Sequence, residues 1–442
     1  MTVTFAGQTA RAVANDSGAW RVDLEPMETC REGRDLVVSG ESGARAVAHD
    51  VLVGEVWFCA GQSNCELPLV GGNPRFRDGK GAMRAQLTNK PLVRFCKQSN
   101  YKISTEPRST CRKPPEWRPF TPENLAKPSF SAMGVYFALE LFSALDIPIG
   151  IVGTWWGGTK VEPWTPASGL ASVPETAELA DTPVLPDADL NAIPEEERPF
   201  RRPQDQPRVL WNDMLAPWAP YAMRGFIWYQ GCSNVADGPA YAAKMHALYN
   251  GWAREFENPE LKIRFVQLAP WGDGRVSALQ EAQAAFAAEE PNAEMAVAND
   301  LGNLKDIHPN DKETVGQRLA LLALKYDYGF DIKADSPSPS AWHVEGDAFV
   351  VEFDHAQSLY LYNPNRSLDA VLEVCGADGE WKPGKIRNLN GTGGNIDGAK
   401  LVVAAEGVAE PKKLRYLHAD PWFGCLYNEV NLPAGAFELS AD

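Results

Sequence analysis

Hydrophobic positions along this chain change rhythm twice. Over residues 1–53 apolar and polar residues alternate in short runs. TVTFAGQTARAVAND turns at Asn15-Asp16-Ser17-Gly18, and WRVDLEPM, RDLVVSGE and ARAVAHDVLV repeat the pattern. Alternation of period two broken by turn residues predicts short strands, a small β unit. From residue 54 strands and helices take turns. EVWFCAG predicts a buried strand, and SAMGVYFALELFSALD, residues 131–146, a helix that ends before Ile147-Pro148. IPIGIVGTWWGG and MRGFIWYQG (residues 223–231) predict strands ending in glycine turns. YAAKMHALYNGWAREF predicts a helix, KIRFVQLAPW a strand, VSALQEAQAAFAAEE a helix, EMAVANDLG a strand and ETVGQRLALLALKYDYG a last helix. Repeated strand–helix units imply a mostly parallel sheet with helices on both faces.

Two segments depart from that alternation. Residues 168–207, rich in Pro, Glu, Asp and Ala, form a long irregular insertion, either a solvated acidic loop or a rim of the site. After residue 332 the β rhythm returns. SPSPS reads as a linker, and AFVVEFDHA, LDAVLEVCGADGEW, KLVVAAEGV and KLRYLHAD as strands of an all-β domain over 333–442. NGTGGN at 390–395 precedes no helix, which makes it a hairpin turn and not a phosphate loop.

Composition narrows the classes. The chain has 442 residues, a formal net charge of −16 and no Lys/Arg-rich tract, against a nucleic-acid footprint or an anionic membrane surface. Eight cysteines (30, 59, 65, 96, 111, 232, 375 and 425) form no C-x-x-C pair, so no zinc site is expected, and Cys59 reads as a buried core thiol. No apolar run approaches the ~20 residues of a membrane span. MTVTFAGQTARAV lacks a basic start and an apolar core, so the expectation is a soluble chain. It would be cytoplasmic, or secreted if an upstream segment is missing. The oligomeric state is left open.

Chemistry concentrates at four strand ends: Gly61-Gln62-Ser63-Asn64, Trp155-Trp156-Gly157-Gly158-Thr159, Gln230-Gly231-Cys232-Ser233-Asn234, and Asp300 followed by Lys305-Asp306-Ile307-His308-Pro309. A parallel sheet delivers all four to one edge. The edge then holds a hydroxyl, glycine N–H groups, amides and an Asp–His pair, the parts for acyl transfer. Ser63 is the candidate nucleophile, His308 the base that removes its proton, and Asp306 the acid that orients the imidazole. Taken singly, each also reads as a turn or helix-start residue. Oxyanion donors are drawn from the N–H of Ser63, the N–H of Gly157 or Gly158, and the amides of Gln230 and Asn234, each such donor typically worth about 3 kcal/mol of barrier. Trp155, Trp156, Trp164, Trp228 and Tyr229 are either core or faces for sugar rings. Gln62, Trp156, Glu162 and Trp164 are the substrate-binding candidates.

GQSN, GTWWGGTKVEPW, LWNDMLAPWAPYAMRGFIWYQGCSN and DIHPNDKETVGQRLAL, in that order over residues 55–325, resemble the sialate O-acetylesterase family of SGNH hydrolases. TVTFAGQTARAVA and HADPWFGCLYNEVNLPAGAF extend the resemblance towards both ends. It implies an α/β fold: an SGNH-hydrolase (flavodoxin-like) parallel sheet over residues 54–332, flanked by N- and C-terminal β segments. It implies Ser63 as nucleophile, His308 as base, Asp306 as its partner, and Gly158 and Asn234 as oxyanion positions with Gln230 beside them. No metal or organic cofactor is implied. The substrate implied is an acetylated sugar or glycan, foremost sialic acid. The alternatives are acetylated xylan or another polysaccharide, and a non-catalytic carbohydrate-binding protein with a decayed hydrolase site. A sialate substrate calls for a cation on its carboxylate, for which Arg75, Arg77 and Lys160 are candidates.

The chain departs from the family pattern at several points. Cys65 stands where a Met is usual. QGCS replaces QGES or QGET, whose Glu is assigned in some relatives as the partner of the histidine. A neutral Cys232 thiol cannot fill that role, which leaves it to Asp306. Asp306 precedes His308 by two residues, where many SGNH enzymes have three. A further β stretch usual upstream of TVTF is missing from this sequence.

Overall fold

A run of apolar side chains from Val56 to Ala60 makes the centre of the main sheet. The structure is a computed structural model that describes residues 1–71, 80–272, 276–303, 305–362, 371–390, 394–396, 398–418 and 423–441. Chain order gives β1 (Thr2–Phe5), β2 (Gln8–Arg11), β3 (Cys30–Ser39), β4 (Arg45–Val53) and β5 (Glu55–Gly61). They are followed by β6 (Lys90–Lys97), β7 (Trp117–Phe120), β8 (Ile149–Trp155), β9 (Gly225–Tyr229), β10 (Lys262–Val266) and β11 (Ala293–Ala296). The first four form an antiparallel sheet in the order β2-β1-β3-β4. The main sheet runs β11-β10-β9-β5-β8-β6-β7, parallel throughout except for the antiparallel edge strand β7.

The helices are α1 (Ser63–Glu66), α2 (Gly81–Leu87), α3 (Pro122–Leu125), α4 (Ala132–Leu145), α5 (Ala167–Leu170), α6 (Asp187–Ala192), α7 (Tyr241–Glu255), α8 (Ser277–Glu289) and α9 (Lys312–Tyr326). Alternation along β5 sorts them to two faces. Trp57 meets Phe137 of α4 edge-on at 5.2 Å, and the Cys59 sulfur lies against Gly134 of the same helix. Phe58 points the other way, onto Trp218 and onto Phe256 beyond α7. Its register partner Phe226 stacks on Trp252 of α7 at 4.0 Å. A strand buried on both faces needs no polar alternation, which is why EVWFCAG reads as a continuous apolar run.

The ends of α4 and α9 follow from their sequences. Ser131 caps α4 through Gly134 N–H, and Asp146 closes it in the left-handed conformation. Asp311 caps α9 through Thr314 N–H at 2.9 Å. The two helices touch backbone to backbone at Gly316, where an added Cβ would stand 2.8 Å from Met133 O and 2.9 Å from Phe137 N.

Strands from Ser338–Glu345 to Phe437–Ser440 build a seven-stranded antiparallel sheet and a four-stranded one around a separate apolar core that includes Phe349, Val351, Leu401, Leu414 and Tyr416. This part is bonded to the main sheet next to β11. Asn299 donates to Ala434 O at 2.6 Å and accepts from Gly424 N–H at 3.0 Å.

Several expectations need correction. WRVDLEPM is not a strand. Gln8 holds Glu25 through its backbone N–H and carbonyl, at 2.9 and 3.1 Å, and so occupies main-chain groups that a ladder would use. β6 and β7 are strands beyond those the pattern predicts, and β6 pairs with β8 over Val93 to Lys97. Of SPSPS, Ser338 to Ser340 already belong to a strand. Asn390 and Asn395 face each other across an antiparallel pair, while residues 391–393 between them lie outside the described residues.

The insertion 168–207 folds into short helical turns, among them Pro174–Ala180 and Asp187–Ala192. The buried Gln206 amide pairs with both backbone groups of Leu185, at 2.7 and 2.9 Å, and the Arg208 guanidinium takes the carbonyls of Leu179 and Thr182.

Candidate active site

β5 stops because Gly61 turns away at φ +144°. A Cβ there would stand 2.3 Å from Tyr229 O, so glycine is needed for β5 to lie this close to β9 at the turn. The next residue ties the turn down. Gln62 N–H donates to Tyr229 O at 3.1 Å, and its side-chain oxygen accepts Gly231 N–H at 3.0 Å. Ser63 then opens α1 at the carboxyl edge of the sheet.

Ser63 Oγ lies 2.9 Å from His308 Nε2, and His308 Nδ1 lies 2.7 Å from Asp306 Oδ1. A carboxylate only accepts, so Nδ1 carries the proton and Nε2 accepts from the serine hydroxyl. The two-residue spacing works because Asp306 Oδ1 also accepts the backbone N–H of His308 at 3.0 Å, folding the loop into a tight side-chain-closed turn. Asp306 is itself tied to Asn303 O through its N–H at 3.1 Å. Burial holds the His308 imidazole below its ordinary range, the Asp306 bond opposes this, and the Lys312 charge adds to the lowering. The ring is therefore neutral at neutral pH, the state that can take a proton.

A clamp joins the serine turn to the histidine loop. Asn64 Nδ2 donates to Ile307 O at 2.9 Å, and Lys312 Nζ donates to Asn64 Oδ1 and to Pro309 O, both at 2.7 Å. Lys312 is buried at the first turn of α9, where the helix dipole disfavours a cation. It also lies over the Tyr229 ring at 5.3 Å. Cys232 Sγ sits 4.0 Å from Asn64 Nδ2, and desolvation pushes its thiol up to about 12. It is a neutral neighbour of the clamp, and the carboxylate bonded to His308 is that of Asp306. Beneath the serine, Cys65 Sγ lies 3.3 Å from Cys59 Sγ, both in the core.

The Gly157-Gly158 turn packs on Ser63, since a Cβ at Gly157 would lie 3.4 Å from Ser63 Cβ. Gly157 N–H donates to Glu66 Oε2 at 2.8 Å, and Tyr101 holds the other Glu66 oxygen at 2.6 Å. Gly158, at φ +71°, has its carbonyl bonded to Arg202 at 2.6 Å. The backbone N–H groups of Ser63 and Gly158 have no partner among the described residues.

Other expected site residues are engaged elsewhere. Gln230 donates to Thr159 O at 3.0 Å and to Asn234 Oδ1 at 2.8 Å, and accepts from Tyr241 OH at 2.6 Å. Both N–H groups of Asn234 go to carboxylates, Glu162 at 3.0 Å and Asp237 at 2.7 Å. In this arrangement neither amide presents a donor to an oxyanion at Ser63. Glu162 is further bound by Lys244 at 2.7 Å. Gln62 is buried as the tie described above. Trp164 is fully buried, donates to Thr159 Oγ1 and packs on Trp228. Trp156 is half-buried against Tyr101. Glu66, Asn64 as a clamp and Lys312 were not singled out from sequence. Glu66 lies three residues after Ser63, and a lysine opening a helix against its dipole is a signal that could have marked Lys312. Among the described residues no group of three or more His, Cys, Asp or Glu side chains is placed to hold a metal ion. No helix among them is long and apolar enough to cross a membrane.

A strand-end Ser–His–Asp chain on a parallel α/β sheet is a hydrolase arrangement. Residues 195–325 match the family described as carbohydrate esterase, sialic acid-specific acetylesterase. The chain is 29% identical to the sialate O-acetylesterase of Rattus norvegicus over 72% of its own length, spanning 65% of that protein. It is 27% identical to the human sialate O-acetylesterase, over 86% of this chain and 74% of that one. A crystal structure of a carbohydrate acetylesterase from Xanthomonas citri superposes with a TM-score of 0.83 at 29% identity, covering 99% of this chain and 92% of that one.

Proposed function

We propose that this protein is a serine esterase that removes O-acetyl groups from a carbohydrate, foremost sialic acid. The hydrogen-bonded chain Ser63–His308–Asp306 carries the reading. The family match and the acetylesterase relatives support the acetylated-sugar substrate, and the family's description supports sialic acid. We take the catalytic unit to span residues 54–332 and to be of SGNH type, with β segments at 1–53 and 333–442. Its strand-end motifs run in the order serine turn, glycine turn, amide turn, Asp–His loop.

In the proposed reaction Ser63 Oγ attacks the acetyl carbonyl carbon while His308 Nε2 takes the hydroxyl proton. The Ser63 and Gly158 N–H groups face the developing oxyanion. The imidazolium gives its proton to the departing sugar oxygen, leaving an acetyl group on Ser63. Water, deprotonated by the same nitrogen, then releases acetate. Asp306 keeps the proton on Nδ1 and stabilises the imidazolium.

Ser63→Ala is the decisive variant. Acetate release from 4-nitrophenyl acetate should fall by at least 10³-fold, in line with loss of a triad nucleophile, with the melting temperature retained. Wild-type turnover in that variant would sink the assignment. Binding of an acetylated sugar by the wild-type protein without any turnover would favour the decayed-site alternative instead.

A further inference from the structure

Beside Gly158 opens a cleft of about 650 Å³ lined by Lys160, Phe200, Arg201, Arg202, Asp205 and Ser233, among others. That is the size of a small-molecule site. It begins one residue from the Gly157 backbone that packs on Ser63. Its charges divide unevenly. Asp205 is bound by Arg202 at 2.6 Å, and Glu162 at its inner wall by Lys244 at 2.7 Å. Lys160 and Arg201 make no ion pair among the described residues. The Lys160 charge helps to hold the Asp237 carboxyl low, but that carboxylate is already bonded to Lys244 and Asn234. In a chain of net charge −16, two exposed cations that form no ion pair among the described residues stand in one cleft, beside the glycine turn that packs on Ser63.

We propose that this cleft binds the carboxylate of an acidic sugar, with Lys160 and Arg201 as the specificity-determining cations. The Phe200 ring and its proline neighbours offer an apolar wall to the sugar ring. Arg202 is the rigid member: it is fixed by Asp205 and by Gly158 O, so it shapes the glycine turn and leaves the anion to the other two. Of the earlier candidates for this role Lys160 lines the cleft, while Arg75 and Arg77 lie outside the described residues. The proposal rests on the reading that Ser63 cleaves sugar acetates.

The test compares two substrates that differ only in charge: 9-O-acetyl-N-acetylneuraminate and its neutral C1 carboxamide, with acetate release measured for both. Wild-type kcat/KM should favour the acid by about tenfold, as two exposed ion pairs would give. The preference should shrink at high salt. The double substitution Lys160→Gln/Arg201→Gln should bring the ratio near one, chiefly through KM. A wild-type ratio near one, or a ratio the double variant leaves untouched, overturns the subsite. Equal turnover of a neutral acetylated xylo-oligosaccharide by the wild type overturns it as well. The outcome for the serine is separate: an undiminished Ser63→Ala on 4-nitrophenyl acetate overturns the reading of the site itself. If the double variant fails to fold, the salt dependence of the wild-type ratio decides alone, a flat response overturning the subsite.

Discussion

In the proposed mechanism His308 is the base, and opposing influences act on its imidazole. Burial and the nearby Lys312 ammonium favour the neutral ring, while Asp306 and the Glu66 carboxylate favour the charged one, and the net direction is down. A base is competent only when neutral, so in this reading activity should be lost as pH falls through the folded pKa. The acid limb of kcat/KM should therefore lie below pH ~6.5, the ordinary imidazole value. Lys312→Met removes a charge that lowers the ring, so that limb should move to higher pH, and the clamp on Pro309 O and Asn64 loosens with a fall in kcat. A limb that stays in place or moves down would contradict the assignment. Asp306→Asn should cost roughly 10²–10⁴ in kcat, since an amide no longer selects the Nδ1–H tautomer. Cys232→Ser, by contrast, should leave kcat within about twofold, because a neutral thiol is replaced by a neutral hydroxyl of similar size. A large loss there would return Cys232 to the acid–base machinery.

Among the elements, α9 sets the position of the histidine loop. It begins four residues after His308, and its start is fixed by Lys312 and by the Asp311 cap. Gly316 lets it lie on α4, and Arg318 ties it to Asp300 and Val297 O, both at 2.7 Å, just past β11. Gly316→Val should push the helices apart and cost about 1–3 kcal/mol as overpacking does, read as a lower melting temperature together with reduced kcat. No change in either would mean that the close contact is slack. The main-sheet strands β5, β8, β9, β10 and β11 and the helices α4, α7, α8 and α9 were legible because long apolar runs and helical spacing coincide with caps and glycine turns. β6 was not: KPLVRFCK carries a proline near its start and a shifted register against β7, so neither a clean alternation nor a continuous run marks it. WRVDLEPM errs in the other direction. It alternates, but alternation makes a strand only where a partner edge exists. The serine, aspartate and histidine could be read because each stands at a strand end with a turn motif. The fates of Gln230 and Asn234 could not, because sequence gives the donors of an amide but not which acceptors surround it.

For the whole molecule, the C-terminal β part is bonded to the segment that leads from β11 to the Asp306–His308 loop. Asn299 lies between β11 and Asp306, and it reaches Ala434 and Gly424 across the boundary. Gly424 is packed so closely that a Cβ there would stand 2.0 Å from Asn299 Oδ1. Asn299→Ala should leave a buried carbonyl without its donor, at a cost of about 1–3 kcal/mol, visible as a lower denaturant midpoint. An unchanged midpoint would mean that the contact contributes nothing to stability. The insertion contributes at the same scale, because Arg202 and Arg208 connect it to the glycine turn and to its own carbonyls.

Ser63 and His308 touch across 245 positions of chain. No local hairpin or helix can form that contact, and the intervening β8, β9, β10 and β11 must pair in parallel register before the two ends meet. Contacts of such long range form slowly and late. Recovery of the proposed esterase activity after dilution from denaturant should therefore lag behind the return of helical circular dichroism, which would make turnover a clock for completion of the central sheet.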